Sequence, residues 1–282
     1  MSATTSLPPI PLYLAYTKDE GASAAAAARG DPQAVALIAH FRAVAPKITS
    51  PAALLSDQRV LSLVLGAFGL GARISQTALL RKLLSQDPHA PGSLAASLAD
   101  PKIIGFAEAF RTWKPPPLTS PKNVTTLINA YRATRFEQAA DTQAAGLQDA
   151  LYFKRNIGGI TSLTQLQSDP NLLKVAARAL GVPYDTYAAL DFTRQTALLK
   201  AKIKLSDLTN AHWVAHTAEL YLLQKNVTQI GTPAAQPGTL AALFGGSDAT
   251  ASSNSLLTIL DTSLSSSTGT TIASGSVLSL FA

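Results

Sequence analysis

The chain has 282 residues, a net charge of +6 and no cysteine. A length of this order holds one large domain or two small ones and buries a core without a covalent staple. The missing thiols exclude disulfide scaffolds, cysteine nucleophiles and thiolate metal sites. Charged residues make up only 14% against 47% apolar, with mean hydropathy +0.17. That excludes a charge-rich disordered chain and points to a surface that is small and polar or covered by a partner. The positive charge is spread along the chain without a basic arm, so nucleic acid is not expected as a partner.

Nothing basic precedes the first apolar stretch, and Pro8, Pro9 and Pro11 interrupt it, so no Sec-type signal peptide is expected. No transmembrane segment is expected either: the long uncharged tracts, 226–247 and 262–282, are rich in Ser, Thr, Gly and Pro. Residues 1–40 form an N-terminal segment with one helix start. Residues 22–28 are nearly all alanine, and Asp31-Pro32 then caps a helix ending near Val44.

A first helical unit spans 41–115. Ser50-Pro51 is a cap followed by proline at the first helical position, and the turn it opens runs to Leu55. Asp57 caps a helix from Gln58 with Val60, Leu61, Val64, Leu65 and Phe68 at helical spacing. Gly69 or Gly71 ends it in a left-handed conformation. Ser75 starts a helix with the stripe Leu79, Leu80, Leu83 and Leu84. A loop over Asp87–Gly92 leads to a short turn from Ser93 through Leu98. Asp100-Pro101 restarts a helix carrying Ile103, Ile104, Phe106, Ala107 and Phe110, which the run Lys114-Pro115-Pro116-Pro117 stops.

Residues 118–154 read as one long connecting helix. Ser120-Pro121 caps it, no proline follows, and Gly146 is its only glycine. At 1.5 Å per residue it is a rod of ~50 Å that bridges its neighbours.

A second unit spans 153–225. Shifted by 112 residues, 41–70 lines up with 153–182 without a gap, and ten of the thirty positions are identical. Among them are Phe41/Phe153, Ser50/Ser162, Leu54/Leu166, Asp57/Asp169, Leu61/Leu173 and Gly69/Gly181. Chance at ordinary composition gives about two or three. In this alignment Asp169-Pro170 repeats the Asp57 cap, and Asn210 takes the place of Asp100, opening a helix with Trp213, Val214, Ala218, Leu220 and Leu223. No stretch shows convincing period-two alternation. The fold class is therefore all-α, two related multi-helix units joined by one long helix.

The low-charge tail, 226–282, carries only Asp248 and Asp261 as charges. Leu256, Leu257, Leu260 and Leu264 form one short helical stripe, and Leu278 and Phe281 belong to an apolar terminus. These six are the partner-binding candidates, with the tail partly disordered or covered by a partner.

Several constellations invite a chemical reading. His212, His216 and Glu219 share one helix face, which a metal site could use. The sequence lacks the glutamate of a His-Glu-x-x-His protease, and a solvated face beside an inward Trp213 accounts for them. Asp57, Asp100 and Asp169 precede helices, two of them before proline, so capping accounts for them better than catalysis does. Lys200, Lys202 and Lys204 read as a solvated helix end. No phosphate loop, nucleophile elbow or dinucleotide fingerprint is present, and no catalytic residue, metal, cofactor or small-molecule substrate is expected.

The blocks Asp57-Gln58-Arg59-Val60-Leu61, Ala67-Phe68-Gly69-Leu70, Arg81-Lys82-Leu83-Leu84 and Leu98-Ala99-Asp100-Pro101 together resemble a helical domain family of alphaproteobacteria encoded beside flagellar genes. The likeness covers about 41–225. The second unit departs from the pattern, with Asn210 for an aspartate and Asn171 for an arginine. The resemblance implies a flagellar context and no catalytic activity. It leads to the expectation of a non-enzymatic, flagellum-associated structural or interaction protein whose partners are flagellar proteins or further copies of itself. The alternatives are a cytoplasmic helical adaptor or chaperone-like factor for flagellar export, and a metal-binding enzyme using the 212–219 face.

Overall fold

The computed structural model describes residues 8–231 apart from 180, 182 and 183, with backbone alone for 179 and 226–231. Among the described residues the protein has fifteen α-helices, several short 3-10 turns and no strand, an all-α fold. The chain opens with α1 (Pro9–Lys18) and α2 (Glu20–Arg29), followed by α3 (Pro32–Val44). The sequence pattern marked only the third. Pro9 and Pro11 do not prevent α1, because they sit in its first turn, where an amide N–H has no intrahelical partner.

The first unit continues with a 3-10 turn (Ala45–Lys47), α4 (Pro51–Ser56), α5 (Gln58–Ala67), α6 (Thr77–Ser85), α7 (Leu94–Leu98) and α8 (Pro101–Ala109). The local signals act as read. The Ser50 hydroxyl accepts from the Ala53 N–H, and Asp57 accepts from the N–H groups of Arg59 and Val60. Gly69 stands at φ +69°, and the Leu70 N–H closes back to the Leu65 carbonyl at 2.7 Å. The helix expected from Ser75 instead begins at Thr77, with Gln76 before it and no side-chain cap.

The single helix expected over 118–154 is two: α9 (Pro121–Gln143) and α10 (Leu147–Asn156). Gly146 divides them at φ +92°. The Asp141 carboxylate accepts from the Gly146 N–H at 2.8 Å and the Gln148 N–H at 3.3 Å, so the start of α10 is capped from the helix before it. A Cβ at Gly146 would lie 3.2 Å from the Tyr221 ring, so the neighbouring helix also demands glycine there.

The chain then runs through a 3-10 turn (Ile157–Gly159), α11 (Leu163–Ser168), α12 (Pro170–Ala179), α13 (Tyr184–Ala188), α14 (Phe192–Lys202), another 3-10 turn (Asp207–Thr209) and α15 (Ala211–Gly231). The 3-10 turns after α3 and α10, the pair α4 and α11, and the pair α5 and α12 all begin and end 112 residues apart. The repeated residues explain themselves physically. Phe41 and Phe153 are fully buried, as are Leu54 and Leu166. Each such side chain is worth about 1.5–3 kcal/mol. Ser50 and Ser162, like Asp57 and Asp169, are N-caps, and Gly181 stands at φ +70° as Gly69 does at +69°.

The end of the repeat differs from the 112-residue reading. The helix equivalent to α15 is α9 and not α8. Each follows a 3-10 turn that packs on the turn after α3 or α10, and each lies against α5 or α12. Ninety residues separate Leu118 from Leu208, Thr119 from Thr209, Val124 from Val214 and Tyr131 from Tyr221. Both leucines are fully buried, and both threonine hydroxyls donate to the carbonyl three residues back. Asn210, which accepts from the His212 and Trp213 N–H groups, thus stands where Ser120 stands. The stretch holding α7 and α8 is an insertion in the first repeat.

Two cores result among the described residues. The helix α9 serves both: Leu127, Ile128 and Tyr131 close the first core, while Phe136 and Ala140 enter the second. The N-terminal helices reach over to the second core, where Tyr13 and Ala24 are buried.

Candidate functional site

Between the two repeats lies a cavity of about 310 Å³. The first repeat contributes the end of α5 with Phe68 and Gly69, Lys102 from the first turn of α8, and Thr134, Glu137 and Gln138 from α9. The second contributes Gln148, Asp149, Tyr152 and Arg155 from α10, and Asp169 and Asn171 at the start of α12.

Glu137 is only 2% exposed. Arg155 donates to it twice, from Nε at 2.7 Å and from Nη2 at 3.0 Å. Burial pushes the Glu137 carboxyl up to about 7 against the pull of Arg155. The stem of Lys102 lies across Gly69, where a Cβ would stand 3.6 Å from Lys102 Cδ. Its ammonium sits 4.7 Å from the centroid of the Tyr152 ring. The Tyr152 hydroxyl donates to Asp169 at 2.6 Å, and burial, together with Asp169, holds that phenol well above its ordinary range. Asp149 is held by the Lys174 ammonium and the Tyr221 hydroxyl.

The pairing of Tyr152 with Asp169 has a counterpart in the first repeat. There His40 Nε2 lies 3.1 Å from the Asp57 carboxylate, the same 17 residues ahead of the cap. Burial raises the Asp57 carboxyl, but the Val60 N–H and His40 outweigh it and the net shift is downward. In both repeats one side chain from the incoming helix clamps the aspartate that caps the next. The first clamp uses a histidine 27% exposed, the second a phenol facing the cavity.

Asp57, Asp100 and Asp169 all accept from backbone N–H groups at helix starts, as capping requires. They do not converge: among the described residues only Asp169 reaches the cavity. His212 and His216 share an exposed face of α15, ring centroids 6.4 Å apart. Glu219 lies near the buried Tyr13, whose phenol burial and Glu219 together raise. Trp213 packs inward against Phe153. Among the described residues no group of three or more His, Asp or Glu is placed to hold a metal ion. Lys200, Lys202 and Lys204 are exposed at the end of α14. Leu256, Leu257, Leu260, Leu264, Leu278 and Phe281 lie outside the described residues. Among the described residues no helix is long and apolar enough to cross a membrane.

Sequence reasoning missed Glu137, Tyr152 and Arg155. The one signal available was the repeat offset, which sets Tyr152 before Asp169 as it sets His40 before Asp57.

Fold and site together define an all-helical tandem repeat with a polar cavity at its junction. Residues 67–214, more than half of the chain, match the family described as "Protein of unknown function (DUF1217)", and the chain belongs to that family. Every residue lining the cavity lies within the matched segment. The fold is similar to the crystal structure of Protein AGR_C_984 from Agrobacterium tumefaciens, with a TM-score of 0.69 and 22% identity over 81% of this chain and 96% of that one. No curated protein matches the sequence.

Proposed function

We propose that the protein is a non-enzymatic, flagellum-associated interaction protein that works through protein–protein contacts, with flagellar proteins or with copies of itself. The observation that carries this reading is the division of labour along the chain. The helical block closes two cores, and its buried carboxylates, Glu137 and Asp169, are engaged by Arg155 and Tyr152. The chain then continues into a stretch whose only charges are Asp248 and Asp261 but which carries six apolar candidates for contact. Apolar anchors of this kind supply most of the energy of a protein interface. The flagellar context rests on the likeness of the Asp57–Leu61, Ala67–Leu70 and Leu98–Pro101 blocks to a family encoded beside flagellar genes.

The test is affinity capture with the full chain and with a chain ended after Thr232, from cells with and without assembled flagella. The full chain is expected to retain flagellar proteins or itself, and the shortened one to stay helical and lose that capture. Equal capture by both would move the contact surface onto the repeats. Capture that is the same in cells lacking flagella would overturn the flagellar context.

A further inference from the structure

We propose that the outer stripe of α3 receives the apolar segment 256–264 from the tail of a second copy. The inference rests on the reading that the tail makes the chain's outward contacts. It starts from a mismatch between the repeats. The helices α3 and α10 end at the same place in their repeats, each followed by its 3-10 turn, so their residues correspond at an offset of 112. Both turn the same face to their own core, Ile38 and Phe41 in one, Ala150 and Phe153 in the other. The next stripe round the helix differs. In α10 it is Leu147, Leu151 and Lys154, with both leucines fully buried. In α3 it is Val35, Ala39 and Arg42, and all three are exposed, Val35 to 48%.

The difference has a visible cause. Around α3 pack the helix before it, α2, with α5 and α9; around α10 pack the helix before it, α9, with α12 and α15. α10 carries α1 as well. The Lys154 ammonium bonds the Thr17 carbonyl of α1 at 2.9 Å and lies 3.8 Å from the Glu20 carboxylate just beyond it. The second repeat thus shows what such a stripe takes: a short apolar helix with acceptor oxygens at its end for the cation. Arg42 stands where Lys154 stands and makes no ion pair among the described residues. A single exposed valine needs no explanation, but here its equivalent is buried under a neighbour.

The segment 256–264 has the matching chemistry. Leu257, Leu260 and Leu264 fall at the spacing by which a helix anchors in a groove, and Asp261 stands among them. Asp261 is one of only two charges beyond Lys225, and every basic residue lies in the helical block, so no cation of the tail competes with Arg42 for it. Residues 233–255 span up to about 80 Å when extended, enough to reach a neighbouring copy.

The test is sedimentation velocity of the full chain over protein concentrations from about 1 to 100 μM. Association that rises with concentration is expected, weakened at least about tenfold in Val35→Glu and in Leu260→Asp. Val35→Leu, which supplies the residue α10 has there, is expected to retain it. Arg42→Asp and Asp261→Arg should each weaken association at least about threefold, and the double variant should recover it, because the pair is restored with its signs exchanged. Val35 and Arg42 are exposed, so their substitutions should leave the melting temperature unchanged. A full chain that stays monomeric overturns the proposal, the same segment closing back on its own α3 included, and leaves capture of flagellar proteins by the tail untouched. Association that Leu260→Asp weakens and Val35→Glu does not would put the seat elsewhere and overturn it too, as would a double variant no stronger than its single parents.

Discussion

Replacing Glu137 by glutamine should remove a specific slope from the dependence of stability on pH. In the folded protein the carboxyl is pushed up to about 7, while its ordinary value is 4.5. Between those two values the folded state holds a proton that the unfolded chain has released. The stability contributed by this group is therefore complete below about 4.5 and is lost as the pH rises through 7. At 1.36 kcal/mol per unit, the difference amounts to about 3 kcal/mol. The groups facing the carboxylate are Arg155 and Lys102, which favour its charged form, and Glu20, which opposes it, but burial outweighs them. Glutamine keeps an oxygen for Arg155 Nε and does not titrate. Urea unfolding of both proteins from pH 5 to pH 8 isolates the effect, because every other titrating group cancels in the difference. The two should be of similar stability at pH 5, with the parent losing ground by up to about 3 kcal/mol at pH 8. Parallel curves would refute the reasoning and show that Arg155 keeps the carboxylate ionised throughout. Arg155→Met supplies a further test: without the guanidinium burial should push the carboxyl up further still, so the loss of stability with rising pH should continue beyond pH 7.

The remaining expectations follow from single contacts. Asp57→Ala should lower unfolding free energy by about 1 kcal/mol in chemical denaturation, the usual loss for a cap. Asp169→Ala should cost more, about 2–3 kcal/mol, because it leaves the half-buried Tyr152 hydroxyl without its acceptor as well. Equal losses would show that the Tyr152 bond contributes nothing. Gly69→Ala should cost about 1–2 kcal/mol in thermal melts because Gly69 holds φ +69°, whereas Gly71→Ala, with open space around it, should change stability little.

The sequence by itself determined what acts within a few residues along the chain. An aspartate or serine before proline caps the helix it precedes, and the leucine stripes of α5 and α6 repeat at helical spacing, so the helix starts at Pro32, Pro51, Gln58, Pro101, Pro121 and Pro170 could be read directly. The 112-residue repeat was legible for the same reason, since its identities fall on caps, core positions and a left-handed glycine. Tertiary structure decided what depends on distant partners. The break at Gly146 was visible only as a glycine; the approach of Tyr221 and the reach of Asp141 made it a boundary. The equivalence of α9 with α15 was hidden because the α7–α8 insertion changes the offset from 112 to ninety. The cavity was hidden because its walls come from five stretches between Ala67 and Leu172, and its charges are set by pairings such as Glu137 with Arg155 that no local periodicity specifies. Caps and stripes are fixed by backbone geometry over three or four residues, whereas burial, which sets the charge of Glu137, exists only once both repeats have packed.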